Sequence, residues 1–357
     1  CDFLSGPSDQ ETKNRYIEAL LNEILAVQGV EAYEIVSVFI GGGTPSVLEA
    51  EAIASIIEAI QEKFYFAPEV EITIEANPGT VDLEKLQIYH KSGINRLSLG
   101  LQSTDPSELK MLGRIHTYEE FLQSYQWARE AGFHNINIDM MFAIPGQTGE
   151  AWREHLYQVA ELKPEHISAY SLIIEEGTPF AERELDLPDE DTEYQMYEDT
   201  AAVLEEYGYH QYEISNYAKK GYTCRHNIGY WRRTEYLGLG LGAASLYEGR
   251  RFSNTRDMQE YLKFSGNTER IRKDIVELSR NDQIEEFMYL GLRMTEGVSE
   301  IDFEQNFGQK LEDIYGSVLK KYKETGFLEK IGTNWRFTRK GIHVSNHILA
   351  EFLLDEE

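Results

Sequence analysis

Apolar and polar positions follow two alternating periods along the first 175 residues. Helical spacing of apolar residues predicts helices at about 9–28, 49–63, 82–91, 118–131 and 152–162, and apolar or alternating runs predict strands at about 35–40, 70–76, 96–101, 135–143 and 166–174. The strand runs are rich in Val, Ile and Leu, as expected of strands covered by helices. Strands that alternate with helices are typical of parallel βαβ units. We therefore predict an α/β fold with a parallel sheet of five strands, closing into a partial (β/α) barrel.

The rest of the chain has a different pattern, which divides the sequence into three predicted domains. Residues 1–175 form the partial barrel and residues 176–270 a connecting region that begins with an acidic stretch. Residues 271–357 are mostly helical and end in a hairpin, 327–331 and 335–338, before a last helix. Helices followed by a two-stranded wing predict a winged-helix-like C-terminal domain. Because the chain opens on a helix, we expect the first barrel strand to lie upstream of residue 1.

Charge and cysteine content exclude several classes of protein. The chain has 34 basic and 62 acidic residues, for a net charge of −28, which argues against binding nucleic acid through its phosphates. Two cysteines cannot form a disulfide framework and favour a reducing compartment, so we expect a cytoplasmic protein. The sequence contains no apolar run of membrane-spanning length, and it leaves peripheral membrane association and homodimerisation open.

Polar residues and glycines follow each predicted strand. Strand ends carry Gly41–Thr44, Glu75 and Gln102, and the fourth strand carries Asp139 and ends in Ile144–Gln147. The carboxyl ends of parallel strands share one edge of the sheet, where ligands bind. Asp139 is the strongest single signal, because it lies in an otherwise apolar strand where a carboxylate needs a partner or a ligand. Together these features predict a site for a small polar ligand.

The motifs GGGTP, EANPGT, GLQS and IDMMFAIPGQT, in this order, resemble the radical S-adenosylmethionine (SAM) superfamily, in the branch related to oxygen-independent coproporphyrinogen III oxidase. The resemblance implies a [4Fe–4S] cluster and SAM as cofactors. It assigns Gly42, Gly43 and Thr44 to the amino and carboxylate end of SAM, Glu75 and Arg114 to its polar groups, Gln102 and Asp139 to its ribose hydroxyls, and Ile173 to the vicinity of its adenine.

The resemblance also implies three cluster cysteines in a Cys-x-x-x-Cys-x-x-Cys loop. Cys1 resembles the last of them, and Cys224 is far away in the sequence. A chain with one of the three thiolates should not assemble the cluster. We therefore expect the natural protein to begin further upstream, with two more cysteines three and seven positions before Cys1.

Residues 219–256, called the basic segment below, contain eight basic and two acidic residues and have a net charge of +6. The segment contains Cys224–Arg225, followed by the motif His226–Asn227–Ile228–Gly229–Tyr230–Trp231. A histidine, flat aromatic side chains and arginines suit the iron, the macrocycle and the propionates of a haem. Each of these residues by itself is more typical of an ordinary core or surface position.

The His226–Trp231 motif resembles that of the HemW family of haem chaperones, relatives of the oxidase. This resemblance implies that His226, Asn227, Tyr230 and Trp231 bind haem, which passes to an acceptor haemoprotein, and it leaves enzymatic activity undecided. One alternative is a true coproporphyrinogen oxidase, although the oxidases carry a further cysteine two positions after the last cluster cysteine, where this chain has Phe3. A second alternative, a nucleic-acid-binding winged-helix protein, is opposed by the net charge of −5 over residues 271–357.

Overall fold

The computed structural model describes Leu4, Gly6 and residues 8–178 and 180–354. Its first part alternates helices and strands as the sequence pattern predicts. β2 begins five residues before its predicted start, and β5 ends three residues before its predicted end. The elements are α1 (Gln10–Ala26), β1 (Glu34–Ile40), α2 (Ala50–Lys63), β2 (Tyr65–Ala76), α3 (Leu83–Lys91), β3 (Arg96–Gln102), α4 (Pro106–Met111), α5 (Tyr118–Glu130), β4 (Ile136–Phe142), α6 (Gly149–Glu161) and β5 (His166–Ser171).

The next elements extend the same sheet and add a second one. They are α7 (Glu190–Glu206), β6 (His210–Gln211), β7 (Asn216–Ala218), α8 (Arg225–Trp231), β8 (Ala244–Tyr247), β9 (Arg250–Asn254), α9 (Met258–Phe264), α10 (Thr268–Ile271) and β10 (Arg272–Glu277). The main sheet has the order β1-β2-β3-β4-β5-β7-β6. Strands β1 to β5 are parallel, and β7 and β6 continue the sheet in antiparallel pairing. The predicted five-stranded parallel sheet is confirmed, with two short strands added at its edge.

The two faces of the main sheet differ sharply in chemistry. One face packs under the helices with apolar side chains such as Ile74, Leu99 and Ile138, all fully buried. The opposite face, called the polar face below, carries Glu71, Thr73, Glu75, Arg96, Ser98, Asn137, Asp139, His166 and Ser168. Hydrogen bonds between side chains of neighbouring strands join several of these residues. The expectation of strands covered by apolar packing thus holds for one face only, because successive side chains of a strand point to opposite faces.

A buried carboxylate attaches α1 to the smaller sheet, whose order is β10-β9-β8. Glu23 accepts hydrogen bonds from Gly240 N at 2.9 Å, Asn254 Nδ2 at 2.6 Å and Tyr261 Oη at 2.6 Å. Burial raises the pKa of Glu23, and these three donors oppose that shift by stabilising the carboxylate. Glu23 therefore fixes the glycine-rich loop before β8 against the first helix.

The C-terminal part has its own core and a small three-stranded sheet. Its elements are α11 (Arg280–Gly291), β11 (Val298–Ser299), α12 (Glu300–Phe307), α13 (Leu311–Glu324), β12 (Leu328–Ile331), β13 (Asn334–Phe337), α14 (Arg339–Ile342) and α15 (Ser345–Leu349). β12 and β13 pair as the predicted hairpin, and β11 joins β13. Helices followed by this wing confirm the winged-helix-like architecture. The domain limits at residues 175 and 270 stay a prediction.

Among the described residues, no helix combines the length and the apolar character needed to cross a lipid bilayer.

Candidate functional site

Gly42 and Glu75 meet where β1 and β2 end. The Gly42 N–H donates to Glu75 Oε2 at 3.2 Å, and Gly42 has a φ of +84°. A Cβ added to Gly41 would lie 2.7 Å from the same carboxylate oxygen, whereas one added to Gly42 or Gly43 would meet no described atom within 4 Å. Gly41 is therefore required by packing, and the open side of the next two glycines lets a ligand approach the backbone.

Asn77 joins two of the predicted site residues. Its Nδ2 donates to Thr44 Oγ1 at 3.1 Å, and Arg114 Nη1 donates to Asn77 Oδ1 at 3.4 Å. Burial lowers the pKa of Arg114, and the negative charge of Asp139 opposes that shift. The structure thus joins Thr44 and Arg114 through Asn77, a residue that the sequence prediction did not include, and places Arg114 within the electrostatic influence of Asp139.

Gln102 is buried at the end of β3 in an unusual backbone conformation. Its φ is +74°, and the pairing of β3 with β4 shifts register between Gly100 and Gln102. A Cβ on Gly100 would lie 3.1 Å from Gln102 Nε2 and 3.0 Å from Asn77 Oδ1. Left-handed backbone costs a non-glycine residue about 1 kcal/mol and is concentrated at functional sites. The conformation supports the prediction that Gln102 belongs to the ligand site.

Asp139 is held on the polar face by two donors. Asn137 Nδ2 donates to Asp139 Oδ1 at 2.8 Å, and Ser98 Oγ donates to Asp139 Oδ2 at 3.1 Å. Burial raises the pKa of Asp139 in spite of these donors. Burial, and then the charge of Asp139, raise the pKa of Glu75 to about 7. Two neighbouring carboxylates with raised pKa values are suited to a ligand that brings positive charge and hydroxyl donors.

Ile173, the predicted adenine neighbour, lies just after β5 rather than within it. Its side chain is 73% exposed. The preceding residue donates its N–H to Phe142 O at 2.9 Å, which holds this loop against the end of β4. Ile173 therefore lies near the carboxyl edge of the sheet with an open apolar side chain, and its contact with adenine stays a prediction.

The described residues do not supply the cluster ligands. Cys224 is buried, its Sγ lies 3.5 Å from Glu71 Oε1, and burial raises the pKa of its thiol to about 11. A protonated thiol is a poor metal ligand. Across the described part of the chain, no three His, Cys, Asp or Glu side chains gather in a way that could hold a metal ion. Cys1, the predicted cluster ligand, lies outside the described residues.

The helix α8 places the His226–Trp231 motif against β1. The His226 ring stacks on the Phe39 ring with centroids 4.6 Å apart, and it meets the Tyr230 ring edge-on at 4.6 Å. Tyr230 in turn meets Tyr236 at 4.6 Å. These four rings are called the aromatic row below. Tyr230 and Tyr236 also line a recess of about 370 Å³ together with Leu246, Arg251, Glu286, Tyr289 and Leu290.

Burial and the charge of Arg96 lower the pKa of His226 to about 4. The imidazole is therefore neutral at physiological pH. A neutral imidazole can coordinate a metal without first losing a proton. His226 thus has the protonation state that an axial haem ligand requires.

The structure separates the four predicted haem residues into two faces of α8. His226 and Tyr230, four positions apart, share the aromatic row, whereas Asn227 and Trp231 share the neighbouring face. Trp231 packs near Cys224, and the guanidinium of Arg293 lies 5.5 Å from its ring centroid. Direct haem contacts of Asn227 and Trp231 stay a prediction.

Most arginines of the basic segment already have carboxylate partners. Glu286 alone binds two of them, Arg233 at 2.8 Å and Arg251 at 2.7 Å. The other pairs are Arg225–Glu69, Arg232–Glu296 and Arg250–Glu248. Three glutamates from outside the segment thus pair with four of its six arginines, and their charges offset half of its net charge of +6.

Sequence reasoning missed the polar face that underlies the site. Arg96 is 2% exposed and is the one Lys or Arg among the buried residues of the described chain. Asn77, Ser98 and Asn137 contact predicted site residues directly. The signal that could have found most of them is the strict alternation of polar and apolar residues along β2 to β5, read across all four strands together.

The chemistry of the residues at the carboxyl edge fits SAM. A carboxylate at Glu75 can accept from an ammonium group, Arg114 can donate to a carboxylate, and Asp139 can accept from hydroxyls. The open glycine backbone after β1 provides the space for close approach. These individual assignments stay predictions.

Comparison with known proteins identifies the family. Residues 1–158 match the model of the radical SAM superfamily, and residues 278–344 match that of the HemN C-terminal domain. Membership of the superfamily implies SAM and a [4Fe–4S] cluster as cofactors. The solved structure titled "Coproporphyrinogen III oxidase (HemN) from Escherichia coli is a Radical SAM enzyme" superposes with a TM-score of 0.85 over 99% of this chain and 86% of that chain, at 23% identity. This likeness confirms the fold.

Two full-length relatives are closer in sequence. "Heme chaperone HemW" of Lactococcus lactis subsp. lactis (strain IL1403) is 37% identical over 100% of this chain and 94% of its own length. The protein of the same name from Bacillus subtilis (strain 168) is 34% identical over 99% of this chain and 95% of its own length. On this similarity over essentially the whole chain, together with the superfamily motifs at the strand ends, the chain belongs to the HemW family of the radical SAM superfamily.

Proposed function

We propose that this protein is a haem chaperone, which binds haem beside α8 and passes it to an acceptor haemoprotein. His226 supplies the imidazole to the iron, and Tyr230 and Tyr236 offer aromatic surface to the macrocycle. The observation that carries the proposal is the partly buried, neutral His226 in the aromatic row, next to the recess that Tyr230 and Tyr236 line. The recess volume of about 370 Å³ lies within the range of small-molecule sites.

We assign the carboxyl edge of the main sheet to SAM. Glu75 accepts from its ammonium group, Arg114 donates to its carboxylate, and Gln102 and Asp139 hold its ribose hydroxyls. The backbone of Gly42 and Gly43 and the hydroxyl of Thr44 line the same end. SAM bound with a cluster can supply one-electron chemistry, and the residues of this chain serve to bind and orient it.

Phe39 connects the two proposed sites. Its ring stacks on His226, and its Cε1 lies 2.7 Å from the position that a Cβ on Gly41 would occupy. Glu75 Oε2 lies at the same distance from that position. Helix α8, which carries the proposed haem ligand, and the proposed SAM-binding residues Glu75 and Gly42 therefore lie close together, with the Phe39 side chain between them.

The oxidase alternative is supported by the fold and by the match of residues 278–344 to the HemN C-terminal domain. The solved oxidase structure shares the architecture at 23% identity, whereas the relatives that share more than a third of their residues with this chain are named haem chaperones. Incubation of the reconstituted protein with SAM and coproporphyrinogen III should therefore give no decarboxylated product.

The test of the haem site is a titration of the protein with haem, followed by its Soret absorption. His226→Ala should weaken haem binding at least tenfold, because loss of an iron ligand costs at least as much as loss of the residues that support one. The Soret maximum should also shift, since the axial ligand changes.

His134→Ala provides the matched control, because His134 is an exposed histidine in the loop before β4. It should bind haem like the unchanged protein. Equal haem affinity of both variants would reject His226 as the ligand. Haem transfer, the proposed function, is measured with apomyoglobin as the acceptor. The haem-loaded protein should convert apomyoglobin to its haem-bound form.

A further inference from the structure

The helix α8 begins without a capping side chain of its own. Helices α1, α3, α5 and α6 each begin with an Asp or Thr whose side chain accepts from a backbone N–H of the first turn. Cys224 occupies the corresponding position before α8 and makes no such bond. The first N–H groups of a helix have no partner within the helix and need an acceptor from elsewhere when they are withdrawn from water.

Glu71 of β2 supplies that acceptor from the polar face of the main sheet. The Arg225 N–H donates to its two oxygens at 3.0 and 3.2 Å, and the His226 N–H donates to Oε1 at 3.4 Å. The Cys224 thiol also points to Oε1, at 3.5 Å. Glu71 is 7% exposed and lies about 150 positions before these donors in the sequence. A carboxylate acceptor of this kind forms stronger bonds than a neutral one.

We propose that Glu71 is the positioning residue of the haem ligand: it holds the first turn of α8 on the sheet and thereby keeps the His226 ring stacked on Phe39, facing the haem site. The proposal rests on the assignment of His226 as the ligand. A second anchor supports the same turn, because the Cys224 N–H lies 3.3 Å from Tyr212 Oη, which pairs with His166 Nε2 at 2.8 Å. Glu71 and Tyr212 together thus accept from the backbone N–H groups of the three consecutive residues at which α8 begins.

A purely structural role for Glu71 is the competing explanation. The buried Arg96 is an electrostatic neighbour of Glu71, so Glu71 could serve only as its counter-charge. Two substitutions separate these roles. Glu71→Asp keeps the charge but withdraws the oxygens by one methylene group, and Glu71→Gln keeps the length and an acceptor oxygen but removes the charge.

The first measurement is hydrogen exchange of the α8 amides in the haem-free protein. With Glu71→Asp, exchange at Arg225 and His226 should become about tenfold faster, because the bonds to the carboxylate are lost. With Glu71→Gln, it should stay closer to that of the unchanged protein. Glu69→Asp is the matched control: Glu69 is an exposed residue of the same strand that reaches only the Arg225 side chain, and the change should have no effect on these amides.

The second measurement is the haem titration. Glu71→Asp should weaken haem binding and shift the Soret maximum in the direction seen for His226→Ala, and Glu71→Gln should retain most of the affinity and the unshifted maximum. The proposal would be overturned if Glu71→Asp left both the amide exchange and the Soret spectrum unchanged. It would also be overturned if Glu71→Gln alone lost haem affinity. Faster exchange with an unshifted spectrum would overturn the link to haem. If His226→Ala also left the spectrum unshifted, the fault would lie in the ligand assignment itself.

Discussion

Glu75→Gln should weaken SAM binding about a hundredfold. The Glu75 carboxylate lies at the meeting point of β1 and β2, accepts from Gly42 N and packs against Gly41, next to the two glycines whose Cβ side is open. Hydrogen bonds to a charged group contribute about 1.5–3 kcal/mol each, and a loss near the upper end corresponds to two orders of magnitude in affinity. Isothermal titration of the protein with SAM measures the effect.

The pH dependence of SAM binding provides a second readout of the same variant. The pKa of Glu75 is raised to about 7, so the carboxylate is half protonated near neutrality. SAM affinity should therefore rise as the pH increases from 6 to 8, because only the charged form accepts fully from an ammonium group. In Glu75→Gln this rise should disappear, and its persistence would assign the pH dependence to another group.

The free energy of unfolding of the ligand-free protein should fall as the pH rises, whereas SAM affinity should increase. A carboxyl group whose folded pKa lies above its unfolded value of 4.5 favours the native state when protonated, and that stability is lost as the pH rises toward 7. At pH 8 the ligand-free Glu75→Gln variant should therefore be more stable than the unchanged protein, by about 2–3 kcal/mol. At pH 4 the two should be alike. Glu69→Gln, an exposed change on the same strand, should alter neither stability nor SAM affinity.

Glu286→Leu should destabilise the protein by about 3 kcal/mol. Glu286 belongs to α11, and its side chain is 7% exposed. It pairs with Arg233, whose side chain is 13% exposed, and with the more accessible Arg251. Removal of this carboxylate would leave two guanidinium groups without a carboxylate partner, one of them largely withdrawn from water. Equilibrium unfolding in urea measures the loss.

The matched control for this variant is Glu296→Leu. Glu296 pairs with Arg232 of the same basic segment, but both side chains are about half exposed. Exposed ion pairs contribute about 0–1 kcal/mol, so this change should have little effect. If the two variants lost equal free energy of unfolding, burial of the Glu286 ion pairs would not be the reason for their contribution to stability.

The order and type of the main-sheet elements could be predicted because each is encoded locally. Apolar spacing over 7–17 consecutive residues distinguishes α1 from β1, and glycine or proline follows most of the strands. The two short strands β6 and β7 escaped prediction, since two or three residues carry no measurable period. The start of β2 at Tyr65 also differed, because Tyr65–Glu69 lacks the clear alternation of the residues that follow.

The candidate SAM residues could be predicted as a set, because parallel strands bring their carboxyl ends to one edge. Their detailed arrangement could not. The bridge from Thr44 through Asn77 to Arg114 joins three residues that are 33 and 37 positions apart, and no local pattern encodes such pairs. The raised pKa of Glu75 likewise depends on burial and on Asp139, which lies two strands away in the sheet.

The amino-acid sequence by itself determined the α/β alternation, the edge of the sheet where a ligand can bind, and the presence of a basic aromatic motif. Tertiary structure decided which charges are paired and which polar residues are buried. The basic segment looks strongly positive in sequence, yet Glu69, Glu286 and Glu296 pair with four of its six arginines and offset half of its net charge. The alternating polar residues of separate strands become one buried face, and Glu71 of that face holds α8. Periodicity acts through neighbouring residues, whereas charge pairing and burial depend on residues that folding alone brings together.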